Sequence, residues 1–289
     1  MKRLFILGLS IFWVTSNAQK KEVNIAIHPL SENIYMLTGQ GGNIGVFKNE
    51  KGVFIIDDQF ARLSNKILEN LKTISDQPVT MVMNTHYHGD HTGGNENMTK
   101  QGATIFAQKN VRSRMERKQK ENGSIIEASL PIITFDEGLQ LYFKNENVKA
   151  FHVHNAHTDG DTLVYFVNGN VLHMGDTFFN GRYPYIDLKS GGSIQGYIKA
   201  SEKALMIIND DTKIIPGHGK LATKKDLEGF SRMLKEITKS IQTEIEAGTS
   251  ENNIIKNTSL TAVYDAKGFG DGFINSERMR KTIYQSLTK

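Results

Sequence analysis

From residue 33 onward, short apolar runs alternate with glycine, asparagine and charged positions. "NIYMLTG", "GNIGVFKN" and "GVFIIDD" have strand length and break where hairpins turn. The "TGQGGNIG" between the first two opens no helix, so it reads as a turn and not as a phosphate-binding loop. Over 60–73 the period changes: Phe60, Leu63, Ile67 and Leu71 share one helical face. The strand "PVTMVMNT" follows, then a short helix in "GGNENMTKQ", the strand "GATIFAQ" and a helix over 109–120. "ITFDEGLQLYF" and "NVKAFHVH" read as further strands, and "DTLVYFVNGNVLHMGD" as a hairpin around a two-residue Asn168-Gly169 turn. A helix over 193–209 leads to the strand "TKIIPGHG", and the chain beyond about residue 223 is mostly helical. Without a linker or a fixed-period repeat, this order predicts one α+β domain of sandwiched layers.

The first eighteen residues follow a different logic. Lys2 and Arg3 precede the apolar run "LFILGLSIFWV", and "TSNAQ" offers Ala18 as the small residue before a cut. This is the pattern of a secretory signal peptide over 1–18, leaving a domain over 19–289 in the periplasm or outside the cell. No later apolar stretch is long enough to span a bilayer, so no membrane association is expected after cleavage.

Removing Lys2 and Arg3 leaves 33 basic against 31 acidic residues, a charge of about +2 that does not favour a nucleic-acid partner. The basic run "RSRMERKQK" at 112–120 also carries Glu116 and reads as the wet face of a helix. The chain has no cysteine, which rules out disulfides, thiolate metal sites and thiol nucleophiles.

Against that ordinary background, "NTHYHGDHTGGN" packs three of the nine histidines and an aspartate into six residues. His86, His88 and Asp90 are two apart, so an extended segment sets them on one side and His91 on the other. With Gly89 relaxing the backbone, the stretch reads as a loop at a strand end, curled around two centres. Three more polar groups follow apolar runs: His157 in "HTDGDT", Asp176 in "GDTFF" and His218 in "PGHG". Five histidines and two aspartates suffice for two divalent ions with open positions. Imidazole and carboxylate suit zinc, and iron or manganese are compatible with the same donors. One ion could take His86, His88 and His157, and the other Asp90, His91 and His218, with Asp176 between them. His28, His152, His154 and His173 fall outside these positions and read as structural.

"THYHGDHTGG" resembles the signature of the metallo-β-lactamase superfamily, and "HTDGDT", "GDTFF" and "PGHG" resemble its later motifs in the same order. The likeness covers about residues 22–289. It implies a four-layer αβ/βα sandwich with the metal site at the edge of paired sheets, and it implies the ligand assignment just given. The implied activity is zinc-dependent hydrolysis of a small molecule, in which a metal-bridging hydroxide opens a cyclic amide, ester or thioester, a β-lactam-like or lactone substrate among them. Asp90 would orient the attacking group. The best-known zinc β-lactamases carry cysteine where Asp176 stands, and the aspartate is similar to hydrolases of thioesters and lactones. An alternative is a di-iron oxidoreductase of the same fold, although such members usually place a carboxylate at the position of His88. Thr85, Asp161 and Thr162 are candidates for orienting the histidines. Arg182, Tyr183 and Lys189 are candidates for contacting a substrate carboxylate.

Overall fold

β4 (Gly52–Ile56) shows how the layers are specified: Val53 and Ile55 point to one side of its sheet, Phe54 and Ile56 to the other, and all four are buried. A strand apolar on both faces needs cover on both. The computed structural model describes residues 22–289, and the expected signal peptide lies outside the described residues. One sheet takes β1 (Ala26–Pro29), β2 (Ile34–Thr38), β3 (Ile44–Asn49), β4, β5 (Val79–Asn84), β6 (Thr104–Gln108) and β7 (Ile133–Phe135), in that spatial order. It is antiparallel as far as β4 and parallel from there on. The second sheet takes β8 (Gly138–Phe143), β9 (Glu146–His152), β10 (Thr162–Phe166), β11 (Val171–Phe179) and β12 (Lys213–His218), antiparallel except for the last pair.

Three buried clusters separate four layers. Ile67 and Leu71 of α1 (Ser64–Lys72) pack on Val53, Ile55 and Val82, outside the first sheet. Between the sheets, Phe54, Ile56 and Met83 meet Val148, Val164, Phe166 and Ile215. Outside the second sheet, Leu163, Leu172, Met174 and Ile214 pack on the helices of the second half. The order is helix, sheet, sheet, helix, the sandwich expected from the sequence. Met98 of a later short helix joins the first cluster.

In the second half, α6 (Lys224–Glu246) is the longest helix; the labels α2 to α5 belong to Gly89–Thr92, Asn95–Lys100, Lys109–Glu121 and Ile194–Ile207. Thr223 and Asp226 close the N-terminus of α6 with a reciprocal capping box, which contributes about 1 kcal/mol. Leu227, Phe230, Leu234, Ile237 and Ile241 recur at helical spacing on its buried face. α7 (Glu251–Lys256), α8 (Ala262–Asp265) and α9 (Ser276–Leu287) complete the helical end predicted beyond residue 223. No helix among the described residues is long and apolar enough to cross a membrane.

Two local expectations are corrected. The hairpin β10–β11 pairs Phe166 with Val171, so its connection has four residues, 167–170, in place of a two-residue turn. The buried Glu146 carboxylate, on β9, accepts the backbone N–H groups of Asn168 and Gly169 and so holds the wider loop. Asn170, with φ of 52°, supplies the left-handed residue. "ITFDEGLQLYF" splits at Asp136–Glu137 into β7 and β8, which belong to different sheets.

Candidate metal centre

β5 ends in the interior at Asn84, and Thr85–His88 continue the chain off its C-terminal end. His88 is still extended (φ −68°, ψ 147°), as the spacing requires, and Gly89 then opens one helical turn, α2. Asp90 and His91 therefore ride on a helical turn, a correction to the loop expected throughout. Its effect is to swing both side chains round to a second group of donors. The carboxylate of Asp90 in a first turn also suits the local N–H dipoles.

All seven predicted donors converge. His86, His88, His157 and Asp176 form one group and Asp90, His91 and His218 another, each with one donor atom per residue lying within 4.8 Å of the rest. In the first group His157 Nε2 lies 2.9 Å from His88 Nδ1, and Asp176 Oδ2 lies 3.6 Å from His157 Nε2 and 3.8 Å from His86 Nε2. In the second, Asp90 Oδ2 lies 3.3 Å from His218 Nε2 and 3.8 Å from His91 Nε2. Asp176 Oδ1 approaches this group too, at 3.0 Å from His91 Nε2 and 3.4 Å from His218 Nε2. One carboxylate thus lends one oxygen to each group.

These residues fit a bound cation. His86 Nε2, His91 Nε2 and Asp176 Oδ1 are buried and make no hydrogen bond, a condition that costs about 1–3 kcal/mol per group when nothing else satisfies them. All three face the same space. Tetrahedral donors with bonds of 2.0–2.1 Å stand about 3.3 Å apart, and the separations above bracket that value.

The outward nitrogens are held. His86 Nδ1 meets Thr85 Oγ1 at 3.1 Å, His88 Nε2 meets Asp187 Oδ2 at 3.2 Å, and His157 Nδ1 donates to the Tyr185 carbonyl at 2.7 Å. His91 Nδ1 donates to Asp57 Oδ2 at 2.7 Å, and the same carboxylate accepts from the Thr85 amide and hydroxyl. Asp57 has φ of 65°, an uncommon conformation kept where the surroundings fix it. On the other side of His91, the turn from β2 to β3 presses in. Gly42 N donates to the Asp90 carbonyl, and a Cβ on Gly42 would lie 2.1 Å from His91 Cε1. Asn43 ties this turn to β12: its amide donates to Gly217 O, and its side chain to Pro216 O and Gly219 O.

The two groups differ in charge. Burial holds the His86 imidazole well below its ordinary pKa and lowers His157 to about 4, so both present neutral lone pairs. For His91 and His218 burial acts the same way, but Asp176 outweighs it, helped by Asp57 at His91 and Asp90 at His218. The net direction is up, to about 9 for His218. Burial opposes ionisation of Asp176 and Asp90, yet the neighbouring imidazoles hold both below the usual carboxylate range.

The cleft above the donors encloses about 410 Å³. Arg182 lines it. Tyr183 reaches its floor but is otherwise buried, its hydroxyl donating to Asp265 Oδ1 at 2.7 Å. Lys189 is exposed and is not part of the lining. Thr85 touches a ligating ring as expected. Asp161 instead accepts from the amide and hydroxyl of Thr158, and Thr162 touches the site through its amide, which donates to Thr85 O. His28, His152, His154 and His173 bond to groups other than the seven donors. Sequence reasoning missed Asp57, Asp187 and Gly42. For Asp57 a signal existed: two adjacent aspartates closing the apolar run "GVFII".

Comparison with known proteins gives a consistent result. A family model for the metallo-beta-lactamase superfamily matches residues 37–218. The chain is 29% identical over 168 residues to a hydroxyacylglutathione hydrolase of Pelagibacter ubique, covering 57% of this chain and 60% of that one, so it spans about three fifths of that relative. It is 22% identical over 253 residues to a type 2 metallo-beta-lactamase of Bacteroides fragilis, covering 83% and 98% of the two chains. Among solved structures, a metallo-beta-lactamase from Pontibacter korlensis superposes with a TM-score of 0.63 at 17% identity, over 73% of this chain and 99% of that one, a likeness of fold.

Proposed function

Since this chain belongs to the metallo-beta-lactamase superfamily, we propose that it is a dinuclear zinc-dependent hydrolase that opens a cyclic amide, ester or thioester. The observation that carries this reading is the division of Asp176, one oxygen toward each donor group. His86, His88, His157 and Asp176 would hold one ion, and Asp90, His91, His218 and Asp176 the other. Bound zinc supplies Lewis acidity, which polarises a carbonyl and lowers the pKa of water from 15.7 to about 7.

The chain's own groups do the positioning. Asp90, partly exposed at the cleft, carries a carboxylate able to accept a hydrogen bond from the attacking water and to aim it. His86 and His157, neutral and fixed from behind, keep their lone pairs directed inward. Phe179 lies in the cleft wall beside His218, its ring stacked at 5.0 Å. Arg182 offers a cation to a substrate carboxylate. Export to the periplasm or beyond through a leader over 1–18 belongs to the same proposal, and sequencing the N-terminus of the exported protein tests it.

The experiment is elemental analysis of the purified protein with a parallel panel of a chromogenic β-lactam, a lactone and a thioester. Two equivalents of zinc and turnover lost to a chelator and restored by zinc are expected. Iron with redox turnover, or hydrolysis that survives complete metal removal, would overturn the reading.

A further inference from the structure

Phe273 is 72% exposed, yet it lines the same cleft as Asp90, Asp176 and His218. A lone exposed phenylalanine needs no explanation elsewhere on a surface; here it stands beside the proposed reacting centre. Its ring is held in place. The Arg278 guanidinium lies 4.8 Å from its centroid and 5.4 Å from that of Tyr185, and the Phe273 and Tyr185 rings meet edge to face at 5.9 Å. Ile274 adds apolar surface next to it, and Phe60, from the connection after β4, adds more from a distant part of the chain.

This lip is joined to a cation. A Cβ on Gly272 would sit 3.7 Å from Cβ and Cδ of Arg182, so the backbone that presents Phe273 rests on the Arg182 stem. Among the described residues Arg112 and Arg114 form ion pairs with carboxylates, and Arg182 forms none. An aromatic platform, an unpaired guanidinium and the donor cluster therefore open on one cavity of about 410 Å³, a size that suits a small molecule. Residues 272–274 also lie beyond the 37–218 stretch shared with the family, so this wall is supplied by the helical end of the chain.

We infer that Phe273 is a specificity-determining residue that selects substrates with an aromatic or bulky apolar arm on the same molecule as an anionic group. The arm packs on Phe273 and Phe60, the anion reaches Arg182, and the hydrolysable carbonyl lies over the donors. This rests on the hydrolase reading for the identity of the third part only.

The test compares zinc-loaded wild type with Phe273→Ala, Phe273→Trp and the remote control Tyr142→Ala, whose ring is 75% exposed elsewhere. Matched anionic thioesters or lactones with a phenylacetyl or an acetyl arm are the substrates. In Phe273→Ala the ratio of kcat/KM for the phenylacetyl over the acetyl compound falls about tenfold, through KM, and Phe273→Trp restores it. Zinc content and Tm stay at their wild-type values because the ring is exposed. An unchanged ratio, or an equal shift in Tyr142→Ala, overturns the inference. Phenylacetate binding by calorimetry gives a readout that needs no turnover: weaker binding in Phe273→Ala supports the lip even if the wild type hydrolyses nothing in the panel, and equal binding sinks it.

Discussion

Replacing one hydrogen of Gly42 by a methyl group tests the rigidity of the metal centre. In Gly42→Ala the new carbon would lie 2.1 Å from His91 Cε1 and 2.3 Å from Nε2. Carbon atoms rest about 3.5 Å apart, so the ring or the turn must give by about 1.4 Å. His91 is fully buried, with Nδ1 fixed on Asp57, and Gly42 is fixed through Asp90 O and the Gln59 amide. Neither side has slack. Overpacking of this kind costs about 1–3 kcal/mol, offset by about 0.4–1 kcal/mol from the stiffer unfolded chain. The net loss, up to about 2.6 kcal/mol, lowers Tm by up to about 10 °C for a domain of this size. Ligand distances tolerate about 0.2 Å, so a ring moved by more than 1 Å no longer serves the second group, and bound zinc falls from about two equivalents to about one. Differential scanning fluorimetry and elemental analysis read both effects. Gly229→Ala, in α6 where a Cβ meets nothing within 4 Å, is the control and raises Tm slightly. A Gly42→Ala protein with two tightly held equivalents and an unchanged Tm would refute the reasoning.

Other outcomes follow from the same geometry. His88→Ala abolishes turnover and one metal equivalent while the metal-free protein keeps its Tm, since the ring is half-buried at the cleft and Asp187 retains Tyr87 and Ser190 as donors; chelator titration and melting curves decide. Asp57→Asn weakens zinc affinity about 10–100-fold, measured by competition with a chromophoric chelator, because it removes the charge that holds both Thr85 and His91. His173 is buried in the second sheet, and burial lowers its pKa to about 4 from an ordinary 6.5. The unfolded chain therefore binds the extra proton first as pH falls, and the native state loses up to about 3 kcal/mol between pH 6.5 and 4 on this account. Urea midpoints across that window should fall more steeply for the wild type than for His173→Gln; equal slopes would dismiss this role.

The donors were legible because their chemistry is local in sequence: a two-residue repeat of histidines, and single polar groups at the ends of apolar strands. What was not legible came from elsewhere in the chain. Asp57 serves a ring 34 positions away, a pairing that exists only once β4 and β5 lie side by side, and Asp187 one 99 positions away, which needs the two sheets stacked. The helical turn at Gly89–Thr92 is too short to announce itself by periodicity. The wider hairpin depended on Glu146, which sits on another strand, so local turn residues alone pointed to the wrong connection. The layers were legible from the order of strands and helices along the chain, and their number from the motifs that resemble the superfamily.

Asn43 has a further consequence. Its three bonds to the end of β12, with the glycines beside it pressed on His91 and Asp90, act as a hasp between the halves of the sandwich. A corner fastened so tightly has no room for an inserted flap or a bulkier residue. Any refitting of this molecule to new chemistry must be tailored from the opposite, carboxy-terminal side of the opening, where the backbone leans on a flexible arginine stem instead of on the machinery itself.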